Sequence, residues 1–512
     1  MRESLLETFD EIYILNLHGS AKKQETVADG SKDDNVFDIT VGVAIALFVK
    51  LPPGGVAADG SPPQTSGKKK DGGALPNAAT KKKKNATIHH ADLWGLRKNK
   101  CDWLNVHNAT NTEWTTFQPD APDFRFVPRN AKYEKEWNKG WSIHDIFPIS
   151  NNGLKTDRDE LFFDFDRKEL EKRMMTFFSK EPPSSFLQQY RVEDSSSYDI
   201  ETRRRERKFS KQAIQRCLYR PFDFRWLYYD VGLTSRPAEK VMKHFSAGEN
   251  FGFITTRQTK DQFGVLASAL IAGHKSCAAY DINTVFPLYL YANGESEAQA
   301  ELVPHENGRR PNLAAEFVSQ FAETVGFRFI SDGRGDLKKS FGPEDIFHYA
   351  YAIFHSQSYR DRYAEFLKLD FPRVPLCHDQ QLFRKLCGCG AKLVALHTLQ
   401  GDFESQVDFD TPGSNIVEQI DFVPANKEAG IRRDRVQINS GQYFEGISPA
   451  VWQMRIGGYQ VCEKWLKDRK GRTLTHDEIE HYQRTVSALA ETRTLMAQID
   501  SLISDHGGWP LE

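Results

Sequence analysis

The run Val41-Gly-Val-Ala-Ile-Ala-Leu-Phe-Val49 carries no charged or hydrogen-bonding side chain, and Ile12-Tyr-Ile-Leu-Asn-Leu17 is nearly as apolar. Runs this short and this continuous suit strands buried on both faces, as in an α/β sheet, rather than alternating, half-exposed strands. The chain is therefore expected to open with sheet, its two strands joined by a polar connection from His18 to Asp38. Residues 51–87 then turn to Pro, Gly, Ala and Lys, ending in Lys81-Lys-Lys-Lys84, a composition too poor in apolar side chains to order itself. This segment is expected to be a flexible, solvated loop.

At 512 residues the chain is too long for one compact core and should form two or three domains. Amphipathic spacing predicts helices over 166–178, 313–323 and 343–354, the last entered through Gly342-Pro343. A final long helix should start at Thr475. There Thr475-His-Asp-Glu478 has capping-box form, and Ile479, Tyr482, Val486, Leu489, Met496 and Ile499 recur at helical spacing. The stretch from Ile214 to Tyr229 is apolar and aromatic, followed by turn-like and strand-like pieces to Tyr291.

No apolar run is long enough to span a membrane. The start lacks the basic-then-apolar order of a signal peptide and reads like the middle of a helix, so Met1 is not expected to be the natural start of a domain. Seven scattered cysteines, an odd number, fit a reducing cytoplasm better than a disulfide framework.

Tests for a catalytic constellation fail. Gly60 to Lys68 ends in Gly-Lys without phosphate-loop spacing. Asp336-Leu-Lys338 has the tail of a nuclease motif without its upstream acid, and no Gly-x-Ser-x-Gly elbow occurs. Cys387-Gly-Cys389, with Cys377-His378 and His397, matches no usual zinc spacing, so no metal is assigned. What remains is basic side chains interleaved with aromatics. Arg220 and Arg225 stand among aromatic residues, and Arg257, Gln258, Thr259 and Lys260 follow Phe251-Gly-Phe-Ile254, at the expected end of a strand. Arg236 lies in Ser235-Arg-Pro. Arg grips guanine bidentately and Gln adenine, while Lys and Thr reach phosphates. Equally, Arg220 and Arg225 can simply bridge loops. With a formal net charge of -2, any nucleic-acid binding must use a local basic surface on a neutral body.

Several blocks resemble the single-polypeptide type I-like (type ISP) restriction–modification enzymes. They are Phe37-Asp-Ile-Thr-Val-Gly-Val-Ala-Ile-Ala-Leu-Phe-Val49, Tyr219-Arg-Pro-Phe-Asp-Phe-Arg-Trp226, Arg257-Gln-Thr-Lys260 and Asn283-Thr-Val-Phe-Pro-Leu-Tyr-Leu290. Two more are Tyr359-Arg-Asp-Arg-Tyr-Ala-Glu-Phe-Leu-Lys-Leu-Asp-Phe-Pro-Arg373 and Gly457-Gly-Tyr-Gln-Val-Cys-Glu-Lys-Trp-Leu466. The resemblance implies an α/β protein. Residues 1–150 would be the end of an adenine-N6 methyltransferase domain, a partial Rossmann-like sheet. Residues 151–340 would be the DNA-reading part of a target recognition domain, and 341–512 its helical remainder. Double-stranded DNA is the implied partner, together with the methyltransferase, motor and nuclease portions of such enzymes.

The family's methyl-donor motif and its Asn-Pro-Pro-Tyr motif belong upstream of Met1, and neither occurs here. S-adenosyl-L-methionine is thus expected to serve the complete enzyme, with no cofactor bound by this chain alone. Phe37 sits where the resemblance implies an aromatic stacking on a flipped base; the residues alone also allow a buried strand-start Phe. The chain is read as a sequence-specific DNA recognition module, catalytically incomplete. Half of a split methyltransferase and a decayed, non-enzymatic remnant are the rival readings.

Overall fold

The computed structural model describes residues 2–20, 31–51, 85–119, 124–128, 133–292, 308–401 and 405–511. Most of the Pro/Gly/Lys segment, from 52 to 84, lies outside the described residues, and so does the Gly60–Lys68 stretch. The protein is mixed α/β with several small sheets, divided into two compact units, Met1–Lys132 and Tyr133–Glu512. No helix among the described residues is long and apolar enough to cross a membrane.

The first unit is built on one four-stranded sheet. Its strands are β1 (Glu11–His18), β2 (Val43–Val49), β3 (Thr87–Asp92) and β4 (Thr115–Phe117), in the order β2-β1-β3-β4. β1 runs antiparallel to β2 and parallel to β3. Both predicted strands form, but the expectation that both are buried on each face holds only in part for β1 and fails for β2. Ile12, Leu15 and Leu17 of β1 are buried, whereas Ile45, Leu47 and Phe48 of β2 are exposed, as are Phe37, Ile39 and Val41 ahead of it. The physical reason is position. β2 is the edge strand, and its outer side chains stay exposed even where Phe9 packs on Phe48 at 5.1 Å. A buried ion pair holds the connection before it. Asp33 accepts from the Gly19 and Gly95 amides (2.6 and 2.7 Å) and meets Lys100 Nζ at 2.6 Å. Lys100 also donates to the Leu17 and Asp34 carbonyls.

In the second unit, Gly252–Thr256 pairs antiparallel with Val265–Ser268 on one side and Asn283–Pro287 on the other, with Asn151–Asn152 beyond. A second sheet takes the hairpin Ile214–Arg220 and Asp223–Tyr228, flanked by Ile271–Ala272 and Phe163–Asp164. The predicted helices form as Arg167–Phe177, Ala315–Val325, Pro343–His355 and His476–Asp505. The capping box at the last is made: Glu478 N donates to Thr475 Oγ1 (3.2 Å), and Thr475 N to Glu478 Oε2 (3.1 Å). The divide expected near 340 has no counterpart. Phe253 of the central strand stacks on Phe347 at 3.8 Å, and Phe321 packs on Phe383, so residues on both sides of 340 share one core. The first divide falls at 132 rather than 150 because Trp137, Ile143, Ile146 and Phe147 join that same core.

Helix Gln380–His397 packs so closely on Pro343–His355 that a Cβ on Gly390 would lie 1.8 Å from the His348 carbonyl oxygen. This contact requires a glycine at 390, whereas Gly388 faces open space. Cys387 and Cys389 are both buried, Cys387 donating to the Asp345 carbonyl, and His397 bonds to the hydroxyls of Tyr351 and Thr492. Burial pushes His348 and His397 down to about 3, and His355 well below the ordinary histidine range. Each takes up a proton in the unfolded chain below about pH 6.5 that the folded chain refuses, so acidification favours unfolding. We expect stability to fall by about 1.4 kcal/mol per pH unit for each such histidine as pH drops from about 6.5. Urea midpoints at pH 7 and pH 5 check this; equal midpoints would contradict it.

Candidate nucleic-acid interface

Strand Gly252–Thr256 is buried along its whole length, then gives way abruptly to an exposed turn. Phe253 and Ile254 anchor it in the core, and Thr255 Oγ1 donates to the Gly264 carbonyl (2.9 Å), closing the turn from behind. Arg257, Gln258 and Lys260 are therefore held outward, as their position after a buried run predicted. Buried Thr259 fixes the turn by donating its amide to the Lys368 carbonyl (3.1 Å). Arg257 is 68% exposed, with Asp370 3.6 Å from its Nε.

Three other loops converge on this turn. The Lys260 amide donates to Asp281 Oδ2 (2.9 Å), joining it to loop 273–282. Segment 368–370 brings exposed Lys368 and Leu369 beside it. The Gly457-Gly458 turn presses in from the third side. Gly457 has φ +53°, and a Cβ there would lie 1.9 Å from the Cys277 carbonyl oxygen, so only glycine fits. Exposed Arg455 closes that turn by donating to the Gly458 carbonyl (3.0 Å). Burial and the Asp281 carboxylate push Asp261 up, against the backbone amides of Tyr280 and Ala279 that face it.

The remaining predicted residues surround the same loops at different depths. Arg236 is exposed; its backbone exchanges two hydrogen bonds with Lys155 (both 2.9 Å), next to Leu154, whose carbonyl accepts from the His274 amide. Arg220 is half-buried, its guanidinium 4.0 Å from the Tyr219 ring centroid and 5.8 Å from that of Tyr459. Arg225 lies deepest, 12% exposed and bound to Asp223 (2.6 Å) and Asp468 (3.0 Å) over the Tyr219 and Phe165 rings. Of the two readings open at Arg225, this geometry is that of a bridge between loops. The basic run at 203–208 is likewise tied down: Arg204 and Arg205 bond Glu201, and Arg207 pairs with Asp230. Asp336 caps a turn, accepting the Lys338, Lys339 and Ser340 amides.

In the first unit, Phe37 is 58% exposed, which overturns the buried strand-start alternative. Asn35 shapes its bend, accepting the Phe37 amide (2.9 Å) and donating to the Val41 carbonyl (2.7 Å). The ring borders a cleft of about 390 Å³ lined by Asp34, Asp38, Thr40 and Arg97.

Tyr280, Ile282, Lys275, Lys368 and Arg455 belong to the second unit's surface and escaped the sequence analysis. The available signal was two large apolar side chains, Tyr280 and Ile282, inside a polar, turn-like segment.

Taken together, the second unit presents four loops rooted in one core, bearing cations and an amide at their tips. The chain belongs to the family of Type ISP C-terminal specificity domains, which matches residues 145–498. Its fold is similar to three solved structures. In the "cryoEM structure DrdV-DNA complex" the match is 20% identical, covers 97% of this chain and 48% of that one, and has a TM-score of 0.65. The second is a nuclease-deletion mutant of the Type ISP restriction-modification enzyme LlaGI in complex with a DNA substrate mimic (17%, 97% and 37%, 0.61). The third is the ATP-dependent Type ISP restriction-modification enzyme LlaBIII bound to DNA (19%, 98% and 32%, 0.64). The chain thus spans at most about half the length of these relatives. No curated protein matches it.

Behind the loops, Asp223 joins the hairpin to the C-terminal segment by accepting from both Arg225 and Arg469 (2.9 Å). Burial alone would push its carboxyl up, but the two guanidinium groups outweigh burial and hold it at about 2. Its stabilising contribution is therefore complete above the unfolded carboxylate range, near pH 4, and is lost as pH falls toward 2. Asp223→Ala leaves two buried guanidinium groups facing each other. It is expected to destabilise the second unit by about 3–5 kcal/mol, read as a lower urea midpoint at pH 7. A midpoint equal to that of the parent would refute this role.

Proposed function

We propose that the chain is the DNA target recognition module of a restriction–modification adenine methyltransferase. The observation that carries this reading is the outward display of Arg257, Gln258 and Lys260 from a buried strand, on loops pinned to one another, in a member of a specificity-domain family. Rigid backbone and exposed donors are what base-edge reading in a major groove requires. Arg257 and Gln258 read base edges, while Lys260, Arg236 and Lys368 hold phosphates. Arg220 and Arg225 support the loops from behind rather than reading bases. The near-neutral body keeps non-specific attraction low, so affinity comes from this local surface.

The first unit is the closing part of a Rossmann-like methyltransferase sheet, with Phe37 the aromatic that stacks on a flipped adenine. Its exposed ring and the parallel β1–β3 pair support this reading. The chain contains no methyl-donor motif. We therefore derive no step through S-adenosyl-L-methionine, which acts in the complete enzyme. One observation favours the split-enzyme reading as well: the apolar side chains exposed along 37–48 would be covered by a protein bearing the Asn-Pro-Pro-Tyr portion.

Recovery of bound duplexes from a random pool across a salt series tests the proposal. One enriched motif, with affinity falling as salt rises, is the expected result. Arg257→Ala should cost about 1–3 kcal/mol on that motif and relax one base position. Lys260→Ala should weaken binding to all sequences alike and reduce the salt slope by about 1. Retention without enrichment would leave only a basic surface, and no retention would overturn the proposal.

A further inference from the structure

Loop 273–282 ends in Tyr280-Asp-Ile282, and its backbone is fixed on every side. Lys275 Nζ donates to the Ala279 and Tyr280 carbonyls (3.1 and 2.5 Å). The Tyr459 hydroxyl, shared between the Lys275 and Ala278 carbonyls (2.9 and 3.2 Å), holds the loop from below. Asn283 closes its base: the side chain donates to the Gly273 carbonyl (3.2 Å) and accepts from the Cys277 amide (3.2 Å). Asp281 is turned inward to the Lys260 amide. None of these ties covers the two apolar side chains at the loop's C-terminal end, and Tyr280 is 66% and Ile282 46% exposed.

Scattered surface apolar residues need no explanation. Here, however, an aromatic and an aliphatic side chain two residues apart stand exposed on the last residues of a braced loop. The same loop is bonded to the turn that carries Arg257, Gln258 and Lys260. A floppy tip would lose conformational entropy on entering a confined space; a braced one does not. The surrounding cations select a polyanion rather than an apolar protein groove as the occupant.

We infer that Tyr280, backed by Ile282, is a wedge that enters a base step of duplex DNA and unstacks it, fixing the register in which Arg257 and Gln258 read. This rests on the recognition reading above. The wedge adds specificity through deformability, because a pyrimidine–purine step unstacks more readily than others.

The test uses the full chain and the duplex motif it enriches, with 2-aminopurine placed in turn at each step of that motif. Fluorescence should rise at one step on binding. Tyr280→Ala should abolish that rise and weaken binding about tenfold, with the salt slope unchanged; Tyr280→Phe should retain both the rise and the affinity. Ile282→Ala should reduce the rise. Enrichment of a motif with no unstacked step, or a Tyr280→Ala protein that unstacks as the parent does, overturns the wedge and leaves recognition standing. Absence of DNA binding by the parent chain overturns both. Because both side chains are exposed, an unchanged urea midpoint in each variant shows that lost binding is not lost folding.

Discussion

The four converging loops depend on a carboxylate that never reaches their surface. Asp223, 1% exposed, accepts from Arg225 on its own hairpin and from Arg469 far along the chain. Arg469 also meets Glu478, the residue that caps the last helix, and Arg472 shares that same acid. One buried charge therefore joins hairpin, C-terminal segment and long helix. The Gly457-Gly458 turn and Tyr459 belong to that segment, and they brace loop 273–282 through the Cys277 and Ala278 carbonyls. Buried ion pairs add little net stability over an apolar substitute, but a broken one is costly. Such a device suits positioning, because the alternatives to the native arrangement are penalised more than the arrangement itself is rewarded.

Helices were legible wherever a local signal announced them. Thr475 with Glu478, Pro343 after Gly342, and the spacing of 166–178 are all contained within a turn or two of chain. The burial of β2 was not legible, because it depends on what lies beside the edge of a sheet. An apolar run states that a strand prefers to be covered but not which element covers it. The core that runs across residue 340 was not legible for a related reason. Phe253, Phe347, Phe321 and Phe383 are spread widely along the chain, yet they close one core across that position.

The site divides along the same line. The exposure of Arg257, Gln258 and Lys260 was legible because polar groups that follow a buried run tend to emerge from it. Arg220 and Arg225 carry the same residue types among the same aromatics, but besides their neighbours Tyr219 and Asp223 they meet partners far away in sequence. Asp468 binds Arg225, and Tyr459 stacks on Arg220. Depth, which separates a support from a reader, is a tertiary property. Tyr280 was missed because a lone aromatic in a polar stretch reads as a turn residue until its neighbours are known.

Neutrality also has a role at the interface. Asp281, Asp370 and Asp261 stand among the cations of the converging loops, an arrangement that weakens attraction to phosphate in general. Asp281 binds backbone, so its bond is kept whether or not DNA is present. Asp370 instead faces the exposed Arg257 guanidinium, at 3.6 Å. A surface pair of this kind contributes about 0–1 kcal/mol, whereas a bidentate contact to guanine is worth about 1–3 kcal/mol. If Arg257 reads a base edge as proposed, it would leave Asp370 for a matching edge and stay with it at a mismatched one. The acid beside Arg257 thus gives the guanidinium a partner in the free protein that is weak enough to be surrendered to a stronger bidentate one.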